Sequence, residues 1–296
     1  MQFIGELSAL VTAFCWSAGS FAFTAAAKRL GSLQLNINRL ILAAIFLIIT
    51  IAVLGLSLKL SENQIVYLSI SGVIGFVFGD TFLFKAFQHI GARISMLLMS
   101  LSPIMSGLLA FFFLNERIGV WGILGIVITI GGVALVVVER NETPSSSYKT
   151  SKIGIIYGLL GSLGQAVGLI FAKAAFNEGD INGFVATFIR IVASVIILFP
   201  IVLLTHRYKN PFKVFANDMK SFRSTIMGTI LGPYLGVTFS LIAVEHAKVG
   251  IAATLMSTMP IIMLPIARYV YKEKLNWQAV CGAVLAVAGV SILFLK

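Results

Sequence analysis

Apolar residues run along this chain in long unbroken blocks, not in the one-sided stripe of a soluble helix. Ten blocks can be drawn, over residues 4–26, 34–54, 65–86, 93–114, 120–138, 153–175, 182–204, 224–245, 250–271 and 277–295. Each is close to the roughly 20 apolar residues that cross about 30 Å of hydrocarbon as a helix. Most connections are very short. Two are longer: 139–152 (ERNETPSSSYKTSK), polar, rich in Ser and Thr and containing Pro144, and 205–223. Neither is long enough for a domain, so any chemistry belongs within or between helices. Backbone in lipid must satisfy its own hydrogen bonds, and helices do so. The pattern predicts an all-α integral membrane protein with ten transmembrane helices.

The blocks repeat. Residues 75–138 laid on 232–295, an offset of 157, need no gap, and eighteen of the 64 pairs are identical. They include Gly75/Gly232, Gly79/Gly236, His89/His246, Met99/Met256, Ser100/Ser257, Pro103/Pro260, Glu116/Glu273, Gly125/Gly282 and Gly132/Gly289. Apolar bias inflates matches of Val, Ile and Leu; it does not align His, Pro and Glu in one register. With small gaps, Gly5 and Gly19 meet Gly154 and Gly168, and Arg39 meets Arg190. The expected organisation is a first five-helix repeat over 1–140, a polar linker at 141–152 and a second five-helix repeat over 153–296. Five spans is an odd number, so the second repeat enters the membrane from the opposite side. Inverted-topology repeats of this kind belong to transporters that alternate access around a site near the midplane.

Composition agrees. Hydrophobic residues make up 58% and charged residues 11%, against about 45–50% and 25% in soluble domains. This excludes a soluble enzyme, a secreted domain, a nucleic-acid binder and a disordered chain. Lys and Arg number 22 against 11 Asp and Glu, a net charge of +11. The excess sits in short loops. Thirteen basic residues lie in loops after odd-numbered spans and four on the other side, which favours odd loops in the cytoplasm and both termini outside. The start, MQFIGELSALV, lacks a basic n-region and reads as part of a retained span. Cys15 and Cys281 both fall inside apolar blocks, where neither a structural disulfide nor a zinc site is expected.

Ionisable residues inside spans are functional candidates by default, because each costs a few kcal/mol to insert. Arg39 and Arg190 occupy matching places in spans two and seven. They read as cations drawing in an anionic group, or as residues that snorkel or pair with a carboxylate. Asp80 lies inside span three with no counterpart, since Val237 stands opposite it. Phe76, Asp80, Phe84 and Phe87 share one helix face. Asp80 is a candidate ammonium site or proton-coupling carboxylate; the alternative is a structural pair with Arg39 or Arg190. Trp16, with Thr12, Ser20 and Phe23 along its side of span one, and Gln165 in span six are candidate pocket lining, as is Tyr234; ordinary packing is the alternative. Spans four and nine share MSLSPI (99–104) and MSTMPI (256–261). Pro103 and Pro260 weaken these helices. Freed backbone beside Ser100 and Ser257 can face a polar cavity, walled by Met99 and Met256. The prolines are therefore candidate hinges, or packing kinks. No nucleophile–His–acid set, phosphate loop or metal-spaced cluster is seen, so neither catalysis, a cofactor nor a metal is expected.

The stretch IGARISMLLMSLSPIMSGLLAFFFLNERIGVWGILGIVITIGGVALVV, echoed by MSTMPIIM, YKEKL and CGAVLAVAGV, resembles the EamA family of the drug/metabolite transporter superfamily. The resemblance covers essentially the whole chain. It implies a ten-helix inverted-repeat fold with a central cavity lined from spans 1, 3, 4, 6, 8 and 9. It also implies a multi-pass plasma-membrane protein that exports amino acids or other metabolites. Glu116 and Glu273 match the family glutamates that hold the short turns, with Arg117 and Lys274. The repeat departs from two-fold symmetry at Asp80/Val237 and Ser102/Met259. Relatives are commonly drawn with termini in the cytoplasm, opposite to the charge count. The expected partners are a small metabolite, the lipid bilayer and, through Asp80, a coupling proton. Monomer and homodimer both stay open. Proton-coupled uptake, lipid handling and a sensory role are the rival readings.

Overall fold

The computed structural model describes residues 3–114, 119–142, 151–206, 208–247, 249–270 and 275–295. All regular structure among them is helical. Helix α1 (Ile4–Leu30) and α2 (Ser32–Leu54) meet at Gly31, whose φ of 83° reverses the chain in one residue. The third span is composite: α3 (Glu62–Gly72), a π-helical turn (Val73–Gly79) and the first half of α4 (Asp80–Met99). At Gly91 the backbone leaves helical geometry (φ 75°, ψ 173°), so the rest of α4 begins the fourth span. That span breaks at Ser100–Leu101 and resumes as α5 (Ser102–Leu114). Helix α6 (Val120–Glu142) completes the first repeat.

The second repeat follows the same plan. Helices α7 (Lys152–Asn177) and α8 (Gly183–Leu204) lead to a short α9 (Pro211–Asn217). The eighth span joins α10 (Met219–Thr229), a second π-helical turn (Ile230–Gly236) and α11 (Val237–His246). The ninth comprises α12 (Val249–Met256), α13 (Met259–Pro265) and a final π-helical turn (Ile266–Val270). Helix α14 (Trp277–Leu295) is the tenth. The fold is therefore an all-α membrane protein of ten crossings in two inverted five-helix repeats. Seven helical stretches cross on length and hydropathy alone; one of these, Glu62–Met99, passes the Gly91 turn and serves two spans.

Three differences from the sequence reading have physical causes. The 205–223 connection is not plain linker. Asn210 accepts the Phe212 N–H ahead of Pro211, which starts α9, and Asp218 accepts the Ser221 N–H, which starts α10 about a turn earlier than expected. Pro103 and Pro260 do not kink continuous helices; each sits in the first turn after a break, where its missing N–H costs nothing. The π-helical turns were not foreseen, yet Val73–Gly79 and Ile230–Gly236 are the same positions under the 157 offset. The acidic turns at Glu116–Arg117 and Glu273–Lys274, and most of the 141–152 linker, lie outside the described residues.

The halves interlock through glycine. Helix α1 packs on the eighth span, where a Cβ on Gly19 would lie 3.2 Å from Leu231 Cβ. Reciprocally, α7 packs on the third span, where a Cβ on Gly168 would lie 3.1 Å from the Ser71 carbonyl oxygen. Close to the pseudo-two-fold axis, α6 and α14 meet at Gly125, Gly132, Gly282 and Gly289. Thr129 Oγ1 there donates to the Ala286 carbonyl at 3.4 Å, and these two positions are themselves partners in the repeat. Small residues let the backbones approach, as lipid-embedded helices require. The outer faces of both helices, with Trp121, Val127, Trp277 and Val284 exposed, form part of an apolar surface. The connections after spans one and seven meet on one face, where Arg29 pairs with Asp218 at 2.9 Å. Loops after spans two and six meet on the other, where Gln64 Nε2 donates to the Gly179 carbonyl at 3.2 Å.

Two outcomes are expected. A Cβ on Gly132 would stand 2.6 Å from the Ala286 nitrogen, while one on neighbouring Gly131 meets nothing within 4 Å. Gly132→Val should therefore cost about 1–3 kcal/mol by overpacking, and Gly131→Ala should leave the melting temperature unchanged or raised. Detergent melts of the two variants test the α6–α14 contact. Separately, hydrogen bonds from the Ser221 hydroxyl and N–H, then from Arg29, hold the Asp218 carboxyl down at about 2. A carboxyl depressed in the folded state stabilises it above the ordinary pKa of about 4 and loses that contribution as the pH falls towards 2. The melting temperature should decline across that window, and Asp218→Asn should flatten the decline.

Candidate functional site

Where the halves meet, spans one to four and six to nine enclose a cavity. It offers about 120 Å³ to the centres of water-sized spheres. A single water needs about 10–15 Å³ on that measure, so the space fits a small metabolite. Trp16, Arg39, Asp80, Phe84, Met99, Ser100, Pro103, Gln165, Arg190, Met256 and Ser257 all line it. The arginines add spans two and seven to the six spans the resemblance implies.

The polar centre is built from the π-helical turn upward. That turn shifts the hydrogen-bond ladder by one residue: the Asp80 N–H reaches the Gly75 carbonyl, five residues back. The Phe76 carbonyl accepts from Asn36 Nδ2 at 2.8 Å, and the Gly75 carbonyl accepts from Gln165 Nε2 at 3.3 Å. Backbone thereby organises side chains from two other spans. Asn36 Oδ1 in turn accepts from Arg39 Nε at 3.0 Å. Arg39 forms a buried ion pair with Asp80 through Nη2 and Oδ2. The other Asp80 oxygen accepts from Gln165 Nε2 at 2.8 Å. Aromatic faces complete the setting, with the Arg39 guanidinium 4.7 Å from the Phe84 centroid and 5.5 Å from that of Phe23. Of the alternatives for Asp80, the geometry realises the pair with Arg39; both carboxylate oxygens are engaged.

Arg190 is different. It is 3% exposed and stacks its guanidinium 4.6 Å from the Phe76 centroid. Its Nε has no hydrogen-bond partner. Gly75 makes room for it: a Cβ there would lie 3.3 Å from Arg190 Nη2. The Asp80 charge acts on Arg190 through space, without a hydrogen bond between them among the described residues.

The broken helices contribute symmetrically. Ser100 Oγ donates to the Leu97 carbonyl and Ser257 Oγ to the Thr254 carbonyl, at 2.6 and 2.7 Å, the same bond in each repeat. Pro260 is buried beside the break but is not part of the cavity wall. Tyr234 is a correction. Its neighbours Pro233 and Val237 face the cavity, but Tyr234 itself turns towards spans two and seven, where its hydroxyl meets Thr50 Oγ1 at 2.8 Å. One residue further along the π-helical turn than Pro233, its ring is carried away from the cavity.

Sequence reasoning missed Leu83, Met96, Leu169, Ser240 and Met259 as lining. The repeat register held the signal for several of them. Under the 157 offset, Leu83 pairs with Ser240, Ser102 with Met259, Phe76 with Pro233 and Asp80 with Val237, and both members of each pair line the cavity.

Truncating Asp80 strands a buried cation, which costs about 3–5 kcal/mol. Asp80→Ala should thus be strongly destabilising in detergent melts. Adding Arg39→Gln to Asp80→Asn should recover part of the loss. Additive losses would mean that the pair does not act as a unit.

Comparison with known proteins follows the architecture. The model of the EamA-like transporter family matches twice, over residues 3–138 and 152–295. An uncharacterized transporter, YxxF, of Bacillus subtilis (strain 168) is 30% identical over 126 residues. That match takes in 43% of this chain and 39% of the relative, less than half of either. One crystal structure shares the fold with a TM-score of 0.71 at 16% identity, over 100% of this chain and 98% of the other. Two family matches that together take in nearly the whole sequence decide the matter: the chain belongs to the EamA-like transporter family, within the drug/metabolite transporter superfamily, as a multi-pass membrane protein.

Proposed function

We propose that the protein is a secondary-active carrier that moves small amphipathic metabolites by alternating access, most simply exporting amino acids or related compounds. The observation that carries this reading is the enclosed cavity itself. It is lined from both repeats, apolar on most of its wall, and holds a buried guanidinium without a hydrogen-bond partner for its Nε. Inverted repeats around a central site supply two equivalent ways to open, one to each face. The breaks at Ser100–Leu101 and Ser257–Thr258 and the paired π-helical turns are the places where the spans can bend. Trp16, Phe84, Met99 and Met256 shape the apolar wall, Ser100 and Ser257 mark the bends, and Arg190 marks the polar end. The positive-inside rule places the odd-loop face, with Arg29 and the basic 205–223 connection, in the cytoplasm.

Proton-coupled uptake is the second reading. Protonating Asp80 would release Arg39 and Gln165 together, since one carboxylate holds both.

The experiment is counterflow in proteoliposomes of purified protein with a panel of labelled amphipathic metabolites. A transported compound should lose at least tenfold in rate with Arg190→Gln, the scale of one charge-assisted hydrogen bond. The coupling reading further expects Asp80→Asn to lose the pH dependence of uphill transport; an unchanged dependence removes Asp80 from that role. Exchange of no metabolite by any route would exclude the carrier reading.

A further inference from the structure

The charges at the cavity do not balance. Its ionisable lining is Arg39, Asp80 and Arg190: two guanidiniums and one carboxylate. Asp80 is committed to Arg39 on one oxygen and to Gln165 on the other. One positive charge is left over, and it resides on Arg190, which is 3% exposed with a partnerless Nε. A buried cation without a partner is costly, and a guanidinium edge matches a carboxylate with two parallel hydrogen bonds. Among the described residues the lining holds no second carboxylate to receive an ammonium. Two of the ring faces are taken as well, Phe84 lying under Arg39 and Phe76 under Arg190. Beyond the guanidinium the wall is mostly apolar, formed by Phe23, Phe87, Met96 and Met256 among others, with serine side chains such as Ser20, Ser100, Ser240 and Ser257 between them. The cavity volume of about 120 Å³ suits a small solute.

We propose that this site selects monocarboxylates with an apolar body and no ammonium group, the carboxylate being held by Arg190. The proposal rests on the carrier reading of the same cavity but departs from its amino-acid cargo: a zwitterionic amino acid would satisfy Arg190 but bring an ammonium that meets no second carboxylate among the described lining residues. Binding one monoanion makes the loaded cavity neutral.

The test uses the full-length protein in detergent and a set of ligands matched in shape: hexanoate and 3-phenylpropionate, the neutral 3-phenylpropionamide, zwitterionic L-phenylalanine and cationic phenethylamine, at constant ionic strength. A ligand of the folded state raises the melting temperature. At least one acid is expected to do so at concentrations tenfold or more below any needed by the amide, amino acid or amine. Arg190→Gln should abolish the difference between acid and amide, and Arg190→Lys should retain part of it. The comparison among ligands on the native protein stands even if a variant fails to fold. Stabilisation by phenylalanine or phenethylamine at or below the concentration of the acids overturns the proposal. So does equal stabilisation by acid and amide, or none by any member. Counterflow with the same set separates the two claims. Exchange of the amide or amino acid but not the acids keeps the carrier and removes the anion preference. Tight binding of acids with no exchange keeps the anion site and removes the carrier.

Discussion

A charge buried in a membrane protein must be met by an opposite charge, by hydrogen bonds or by a ligand. Most of what is distinctive here follows from how three such charges are met. Arg39 and Asp80 answer each other, and the arrangement around them exists to hold them in place: Asn36 on one side, Gln165 on the other, and aromatic faces above and below. The π-helical turn at Val73–Gly79 supplies carbonyls that fix Asn36 and Gln165. Backbone irregularity is tolerated at this depth because it faces protein and cavity, not lipid. The pair is thus a fastening between spans two, three and six. Arg190, brought in by span seven, is the charge that this fastening leaves over.

The inverted repeat explains both the order of the structure and its break in symmetry. Glycines at equivalent positions let α1 lie on the eighth span and α7 on the third, so each half begins by embracing the other. Along α6 and α14 the same four glycines bring the halves together close to their axis. Within the cavity the duplication persists in position and lapses in chemistry. Ser100 and Ser257 repeat a hydrogen bond faithfully. Asp80 and Val237 occupy the same place with opposite character. A symmetric scaffold therefore surrounds an asymmetric centre.

Much of this was legible in the sequence, for definable reasons. Lipid imposes a coarse rule, so ten apolar blocks located ten spans; the 157 offset then gave the equivalent positions of the two repeats. Paired prolines marked the broken helices, although each proved to begin a helix rather than bend one. Other features depend on angles that composition does not record. That Asp80 pairs with Arg39 and not with Arg190 is decided by how spans two, three and seven cross. Tyr234 turns from the cavity because successive residues of its π-helical turn point in different directions. The π-helical turns left only a faint trace, glycines at identical places in both repeats. Helix α9 did leave a signal, Asn210 before Pro211, hidden within a basic stretch that read as loop.

The division of charge between the repeats bears on how the protein is made. Arg39 and Asp80 are both encoded in the first half, together with the π-helical turn that positions them. That half can enter the bilayer during synthesis with this pair of opposite charges already matched. Arg190 emerges later, on a half that brings no carboxylate to the cavity among the described residues. Its aromatic cover, Phe76, belongs to the half already inserted. The later helices therefore reach a comfortable state only by docking on the earlier ones. Burying that arginine rewards correct assembly of the two halves and penalises a second half left alone.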